Sequence, residues 1–478
     1  MTQQHLDRLS SIDASFLTNE TSTSHMHVGA VLIFEGPPPR YDDLVEHVRS
    51  RLGLVPRFRQ KLAVPPLETG RPFWVDDPCF NLTYHVRHTA LPAPGSEEEL
   101  QRLAGRLFSQ QLDQSKPLWE LWLVQGLKRN RFALISKTHH SMVDGVSGVD
   151  ISTVLFDVKP VPEPVQSEEE WLPAPAPSAV EMAARGVIGA LELPLKLGSR
   201  AISALQHPEA TAKRAAEAVE ALGEVVWALA DPAPDVPLNV EIGPHRRYVW
   251  TRSDLETFKQ IKDTLGGTVN DVVLAVVTGA LRNWLRARGV RTEGLELRAL
   301  VPVSIRGEDE QGQLGNRIAA VRGPLPIYVD DPVRRLEIVR AAMEDVKQSK
   351  QALGAEVISR FNDFAPPTLL AQASRINFST RLFNLIVTNV PGPQIPLYVL
   401  GRELEDVFPV AFLPQDHALA IAIMSYNGRV NFGLLADYDA MADVDEIADG
   451  ISLALDELAA AAKRERADGA RRKAPAHA

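Results

Sequence analysis

The spacing of hydrophobic positions along the chain switches repeatedly between a strand-like and a helix-like period. "HVGAVLIFEG", His27 to Gly36, is a nearly unbroken apolar run and predicts a buried strand. In "SEEELQRLAGRLFSQQL" the apolar residues Leu100, Leu103, Ala104, Leu107 and Phe108 fall at helical spacing, and Ser96 with Glu99 forms a capping-box pattern at the start. "PLWELWLVQGL" and "RFALISK" then predict a β-hairpin about the polar turn Lys128 to Arg131. After Gly145, "VSGVDISTVLFDV" predicts a helix with its apolar positions turned inward.

The pattern breaks at "KPVPEPVQSEEEWLPAPAPS", Lys159 to Ser178, whose Pro and Glu content predicts an extended linker. Two helical segments follow, 179–206 and 208–230, the first kinked or split by Pro194. The alternation resumes at Pro237. "SDLETFKQIKDTLGG" carries a second capping pattern, Ser253 with Glu256, and ends on glycines suited to a helix C-terminus. "TVNDVVLAVVTGALRNWLRARG" predicts a helix with a stripe of Val269, Val272, Val273, Val276, Ala280 and Trp284. "LRALVPVSIR" and "FNLIVTNVPGP" predict buried strands, and "ALAIAIMSYNGRVNFGLLADYD" a hairpin turning at Asn427-Gly428. The tail from Lys463 is expected to fray. The division is therefore a first α/β half over 1–158, a linker with crossing helices over 159–236, a second α/β half over 237–460 and a flexible tail over 461–478.

Composition narrows the function classes. A chain of 478 residues is long enough for two or three compact units, and 45% hydrophobic with 23% charged residues is globular. The net charge of −10 argues against a nucleic-acid partner. Cys79 is the only cysteine, which excludes an intramolecular disulfide and thiolate metal clusters and fits a cytoplasmic location. The N-terminus lacks the pattern of a secretory signal, and no window is apolar enough to span a bilayer.

The candidate chemistry lies in "KTHHSMVDGVSG", Lys137 to Gly148. His139 and His140 stand at the predicted end of a strand, where neighbouring side chains point to opposite faces, so both would not readily bind one metal. No HExxH pattern completes a metal site, and no GxSxG elbow supplies a serine nucleophile. Two readings stay open. One has the pair as polar residues at an element boundary; the other has one histidine as a general base, with Asp144 orienting the loop and Gly145 allowing its turn.

"HHSMVDG" resembles the HHxxxDG motif of CoA-dependent acyltransferases and peptide-synthetase condensation domains. The chain is most similar to one branch, the bacterial wax ester synthase/acyl-CoA:diacylglycerol acyltransferases. "MHVG" (Met26 to Gly29), "PLW" (Pro117 to Trp119), "TVNDVVLA" (Thr268 to Ala275), "VPVSIR" (Val301 to Arg306), "NVPGP" (Asn389 to Pro393) and "SYNGRVNFGLLADYD" follow in that branch's order. The resemblance covers about residues 5 to 460 and is least secure over the linker.

The resemblance implies two chloramphenicol-acetyltransferase-like domains, each a mixed β-sheet covered by helices, with an active-site tunnel between them. It implies acyl transfer from acyl-CoA to diacylglycerol or a fatty alcohol, with His140 as the base, no covalent intermediate and no bound cofactor or metal. His139 is then a brace for the loop and Asp144 a structural support. Asn270 and Asp271 become candidates for the substrate site, although Thr268 with Asp271 is also a plain capping pattern. Pro117, Leu118 and Trp119 are packing or tunnel-wall residues, and Arg246, Arg247 and Arg306 are candidates for CoA phosphates. Association with a membrane or lipid droplet follows from the insolubility of such substrates. Two alternatives remain: condensation onto a carrier-bound thioester, and a non-catalytic lipid-binding relative.

Overall fold

The computed structural model describes residues 7–66, 71–142, 155–161, 171–178, 181–182, 232–304, 318–348 and 378–473. The strands in chain order are β1 (Asp7–Arg8), β2 (His27–Glu35), β3 (Gln60–Ala63), β4 (Phe73–Asp76), β5 (Val86–Ala90), β6 (Trp119–Leu127), β7 (Arg131–His139), β8 (Arg246–Asp254), β9 (Leu297–Ser304), β10 (Ile318–Leu325), β11 (Leu385–Pro391), β12 (Tyr398–Val399), β13 (Arg402–Val410), β14 (Leu419–Tyr426) and β15 (Arg429–Asp437). The first four helices are α1 (Ser11–Asn19), α2 (Tyr41–Arg49), α3 (Leu82–His85) and α4 (Glu97–Phe108).

Two six-stranded sheets dominate, ordered β12-β13-β2-β7-β6-β5 and β10-β9-β11-β14-β15-β8, beside a small sheet β1-β4-β3. Both large sheets are mixed. In the first only β5 and β6 run parallel; in the second β11 is parallel to both β9 and β14. The predicted hairpins form as β6–β7 and β14–β15, the latter turning on Asn427 (φ 43°) and Gly428 (φ 84°).

Strand alternation gives the first sheet two apolar faces. Leu32 and Phe34 of β2, with Phe132 and Leu134 of β7, meet Leu44, Val45 and Val48 of α2 on one face. Val31, Ile33, Ala133 and Ile135 face the other way, into a core shared with α4 and the second half. The capping box of α4 forms as predicted, and Leu100, Leu103, Ala104, Leu107 and Phe108 are all buried.

The first sheet is not built from the first 158 residues alone: β12 and β13, from residues 398–410, extend it beyond β2. β13 lies against β14 and β15 of the other sheet and so ties the halves together. At the crossing, Tyr248 Oη donates to the carbonyls of Phe408 (3.0 Å) and Pro409 (2.9 Å). A Cβ added to Gly433 would lie 2.1 Å from Pro409 O and 2.4 Å from Tyr248 Oη. Glycine is the residue that permits this approach.

Three expectations need correction. In the helix Val269–Ala287 burial is wider than the stripe: Val272, Val273, Val276, Ala280 and Trp284 are buried, and so is every residue from Asp271 to Arg282, because the helices Pro332–Gln348 and Val444–Lys473 pack against it as well as the core. The Ser253–Glu256 cap does not form, since Ser253 is held in the β8–β15 ladder opposite Val430 and the helix Leu255–Leu265 starts after Asp254. The tail from Lys463 continues the helix Val444–Lys473, which good helix formers such as Ala, Arg, Glu and Lys extend past its last buried residues, Ala461 and Ala462. The helix after Gly145 and the segments at 179–206 and 208–230 lie, apart from a few residues, outside the described residues.

Among the described residues no single helix is long and apolar enough to cross a membrane. One bent pair, Leu255–Leu265 with Val269–Ala287 at 101°, has the length and composition together.

Gly433→Ala should lower stability by roughly 1–3 kcal/mol, the usual cost of overpacking, read as a lower urea midpoint at unchanged slope. An unchanged midpoint would mean that the two sheets do not approach this closely.

Candidate active site

The predicted site begins where β7 ends. The last residues of that strand are held from both sides: the His139 N–H donates to Leu118 O (3.0 Å) and the His140 N–H to Met26 O (2.9 Å). β2 runs antiparallel to β7 with His27 opposite His139 and Gly29 opposite Lys137. A Cβ on Gly29 would sit 1.9 Å from Ser136 O, so this position of "MHVG" admits no side chain. The motif is thus the strand that braces the histidine pair.

The two imidazoles part company as their positions predict. His139 has no solvent exposure. Its Nδ1 accepts the Ser141 N–H (3.1 Å) and lies 2.7 Å from Ser141 Oγ, which places the proton of the neutral ring on Nε2. That Nε2 is 3.6 Å from Glu20 Oε2. Burial pushes His139 down to about 3.

The His140 ring instead stacks on Phe16 of α1, with centroids 3.9 Å apart and planes at 22°, and meets Phe412 edge-on at 5.5 Å. Phe378 completes the wall, 6.1 Å from Phe16 and 5.7 Å from Phe412. Phe16 belongs to the first half and Phe378 and Phe412 to the second, so His140 stands where the halves meet. Burial lowers it to about 4, leaving it neutral throughout the physiological range. Its Nδ1 is enclosed, and a hydrogen bond to the residue's own backbone works against the downward shift. No group of three or more metal-binding side chains is found among those residues.

Asp144, Gly145 and Arg306 lie outside the described residues. Asp271 makes the capping box with Thr268, its Oδ2 accepting the Thr268 N–H and Oγ1–H, both at 2.8 Å. Asn270 points elsewhere: its Oδ1 accepts from Asn389 Nδ2 at 3.2 Å, joining "TVNDVVLA" to "NVPGP". Pro117, Leu118 and Trp119 are buried, and their setting is packing. Trp119 stacks on His85 at 4.7 Å and donates its Nε1–H to Phe58 O (2.8 Å), within the core that α2 covers.

Two of the three candidate arginines have partners within the protein. Arg246 is buried and donates to the carbonyls of Gly243, His245 and Thr23, and Arg247 lies over the Tyr438 ring at 4.0 Å while donating to Tyr438 O. The Arg246 guanidinium is thus engaged by backbone carbonyls, whereas Arg247 commits its Nε–H to Tyr438.

Sequence reasoning missed Phe16, Phe378, Phe412 and Glu20. The aromatics come from three distant segments with no shared spacing. Glu20 offered one signal, its place just ahead of "MHVG".

Comparison with known proteins agrees with this geometry. The family model described as the wax ester synthase/diacylglycerol acyltransferase catalytic domain matches residues 9–273, and that of the family's C-terminal domain matches residues 314–459. The chain belongs to this family. It is 33% identical over 466 residues to a Mycobacterium tuberculosis protein named probable diacylglycerol O-acyltransferase tgs1, covering 96% of this chain and 97% of that one. A second protein of that organism, named probable diacylglycerol O-acyltransferase tgs2, is 32% identical over 447 residues, 90% of this chain and 94% of the other. Among solved structures, a wax ester synthase/diacylglycerol acyltransferase from Marinobacter aquaeolei matches with TM-score 0.66 at 28% identity, covering 95% of this chain and all of that one. The first condensation domain of the calcium-dependent antibiotic synthetase matches with TM-score 0.56 at 15% identity, covering 95% of this chain and 97% of that one, a likeness of fold alone. The chain is accordingly an acyltransferase with the two-domain fold of its family.

Burial of so many imidazoles has a consequence for stability. His25, His27, His47, His85, His139, His140 and His417 are all pushed down by desolvation, so between their folded values and about 6.5 the unfolded chain binds more protons than the native one. Their contribution is present above the unfolded value and lost as pH falls. Glu20, raised to about 7 by burial, acts in the opposite sense but is a single group. Tm should therefore fall steadily from pH 7 toward pH 4.5 in thermal scans at fixed ionic strength. A flat or rising Tm would mean that these rings are solvated in the native state.

Proposed function

We propose that the protein transfers a long-chain acyl group from acyl-CoA to diacylglycerol, a fatty alcohol or both, forming triacylglycerol or wax ester, with His140 as general base. The observation that carries this reading is a neutral imidazole set among Phe16, Phe378 and Phe412 at the junction of the halves, in a chain of this family. Nδ1 is enclosed, so Nε2 is the nitrogen left to meet the acceptor hydroxyl. As the hydroxyl oxygen attacks the thioester carbonyl, its proton passes to His140. The C–S bond then breaks and the proton goes on to the departing CoA sulfur.

A positioned base contributes about 10²–10⁴-fold, and holding both substrates in line in a tunnel between the halves supplies further rate. His139 braces the turn, with Asp144 and Gly145 supporting the loop that follows. Asn270, which accepts a hydrogen bond from Asn389, takes part in holding the substrate. Because both acceptors are insoluble in water, the enzyme works from the cytoplasm at a membrane or lipid-droplet surface.

Purified protein given a long-chain acyl-CoA and either acceptor should release free CoA, detected with a thiol reagent. No release with either acceptor over a range of chain lengths would overturn the reading. His140→Ala should lower kcat by about 10²-fold or more with the circular dichroism unchanged. Since protonation of His140 would disable it and its value is lowered to about 4, the acid limb of kcat/KM should lie well below the usual histidine value of about 6.5.

A further inference from the structure

A buried hydroxyl outside the histidine motif ties the two sides of the site together. Ser24 lies in the turn ahead of β2 and has no solvent exposure. Its N–H donates to Thr21 Oγ1 (3.0 Å) and its carbonyl accepts the Thr21 N–H (2.8 Å), so the turn fixes where the side chain points. It points at the second half: Ser24 Oγ–H donates to Leu413 O at 2.7 Å, across 389 positions of sequence. The Thr23 carbonyl beside it accepts from Arg246 of β8, a second bond between the halves in the same turn.

Each end of the Ser24 bond lies close in sequence to a group that touches His140. Two residues after Ser24, Met26 O accepts the His140 N–H (2.9 Å). One residue before Leu413, the Phe412 ring meets the His140 imidazole edge-on at 5.5 Å. The contacts close a circuit: hydroxyl, Met26 carbonyl, His140, Phe412, Leu413 carbonyl and back to the hydroxyl. Met26 itself has φ 48°, in the left-handed region that a residue with a Cβ rarely enters. Such a conformation persists where its surroundings hold it, and the bonds at Thr23 and Ser24 stand directly ahead of it. The loop on the other side is anchored at both ends. Val410 pairs with Gly29 in the sheet, His417 stacks on Phe383 at 4.4 Å, and the Ala418 N–H donates to Leu238 O (2.8 Å). Loss of the hydroxyl would thus free the stretch around Phe412 and leave the two sheets joined.

We infer that Ser24 is a positioning residue for acyl transfer: by holding Leu413 O it fixes Phe412 against His140 and keeps water from the ring. The groups packed on that ring are Phe16 from α1 and Phe412 from the loop after β13, neither of them titratable. The titratable neighbour at the same strand end is His139, which burial keeps neutral. Burial is also what lowers His140 to about 4, so opening one side of its enclosure raises it.

The inference rests on the acyl-transfer reading for its kinetic test but not for its spectroscopic one. Ser24→Ala should lower kcat about 10-fold, the scale of a slightly misplaced catalytic group, and move the acid limb of kcat/KM up toward the ordinary histidine value of about 6.5. A smaller folded fraction would lower kcat without moving that limb. Phe412→Leu should act in the same direction through the wall itself. The double variant should be slower than the slower single variant by no more than about 2-fold, because residues that act through one another are not additive. Ser24→Cys, which keeps the shape and weakens the donor, repeats the comparison if the alanine variant does not fold. Without any turnover, hydrogen exchange should quicken in peptides spanning Ala411 to Ala418 of Ser24→Ala. The His140 imidazole, followed by NMR in ¹³C-histidine-labelled protein, should titrate above its wild-type midpoint. Losses that multiply in the double variant, an unmoved acid limb, or unchanged exchange and midpoint would each overturn the inference. A wild type that turns over no substrate counts against the acyl-transfer reading, and exchange and titration then decide this one by themselves.

Discussion

Everything at the site depends on two backbone hydrogen bonds to the end of one strand. The His139 N–H is taken by Leu118 on β6 and the His140 N–H by Met26 on β2. A strand terminus is ordinarily a place where the chain loosens, because its ladder partners run out. Here the flanking strands extend to the last residue and one beyond, so two consecutive side chains leave the sheet in fixed and opposite directions. That divergence places one imidazole in a buried polar cluster and the other against an aromatic wall. Two of the short motifs, Met26–Gly29 and Pro117–Trp119, supply the carbonyls of this clamp.

Much of this was legible in the sequence, for identifiable reasons. Short apolar runs bounded by turn residues marked β2, β6, β7, β14 and β15, and local turn chemistry at Asn427-Gly428 fixed a hairpin, because these signals need only neighbours along the chain. The capping boxes of Ser96–Glu99 and Thr268–Asp271 form for the same reason. Ser253–Glu256 has an identical local pattern and fails, since a ladder to a strand far along the chain claims Ser253 first. The aromatic wall was illegible because Phe16, Phe378 and Phe412 meet only after both halves have folded. Charge on an arginine could be read from sequence, but not that Arg246 would spend its donors on three carbonyls.

The polar cluster behind the clamp shows how burial and charge are reconciled. Lys137 lies on the same face as His139, almost fully enclosed, and donates to the carbonyls of Leu107 (3.1 Å) and Gln110 (2.9 Å) past the end of α4, with Glu120 at 3.4 Å. One cation thereby satisfies groups that the helix leaves open. Burial holds His27 neutral, and the charge of Lys137, with that of Arg246, adds to the effect. The imidazoles follow the course open to buried bases and give up their protons, and the same burial raises the Glu20 carboxyl. The neutrality of His140 is one outcome of that wider arrangement.

The position of β13 bears on how the chain acquires its structure during synthesis. β2 emerges from the ribosome within the first few dozen residues, yet the partner that covers its outer edge is encoded at Arg402–Val410, in the last fifth of the chain. Until that segment appears, the nascent first half carries an open edge strand ending at Val28, Gly29 and the histidines' own support. A truncated product lacking residues beyond 400 would therefore be an adhesive fragment, not a smaller working domain. A strand made late is the one that renders an early strand safe.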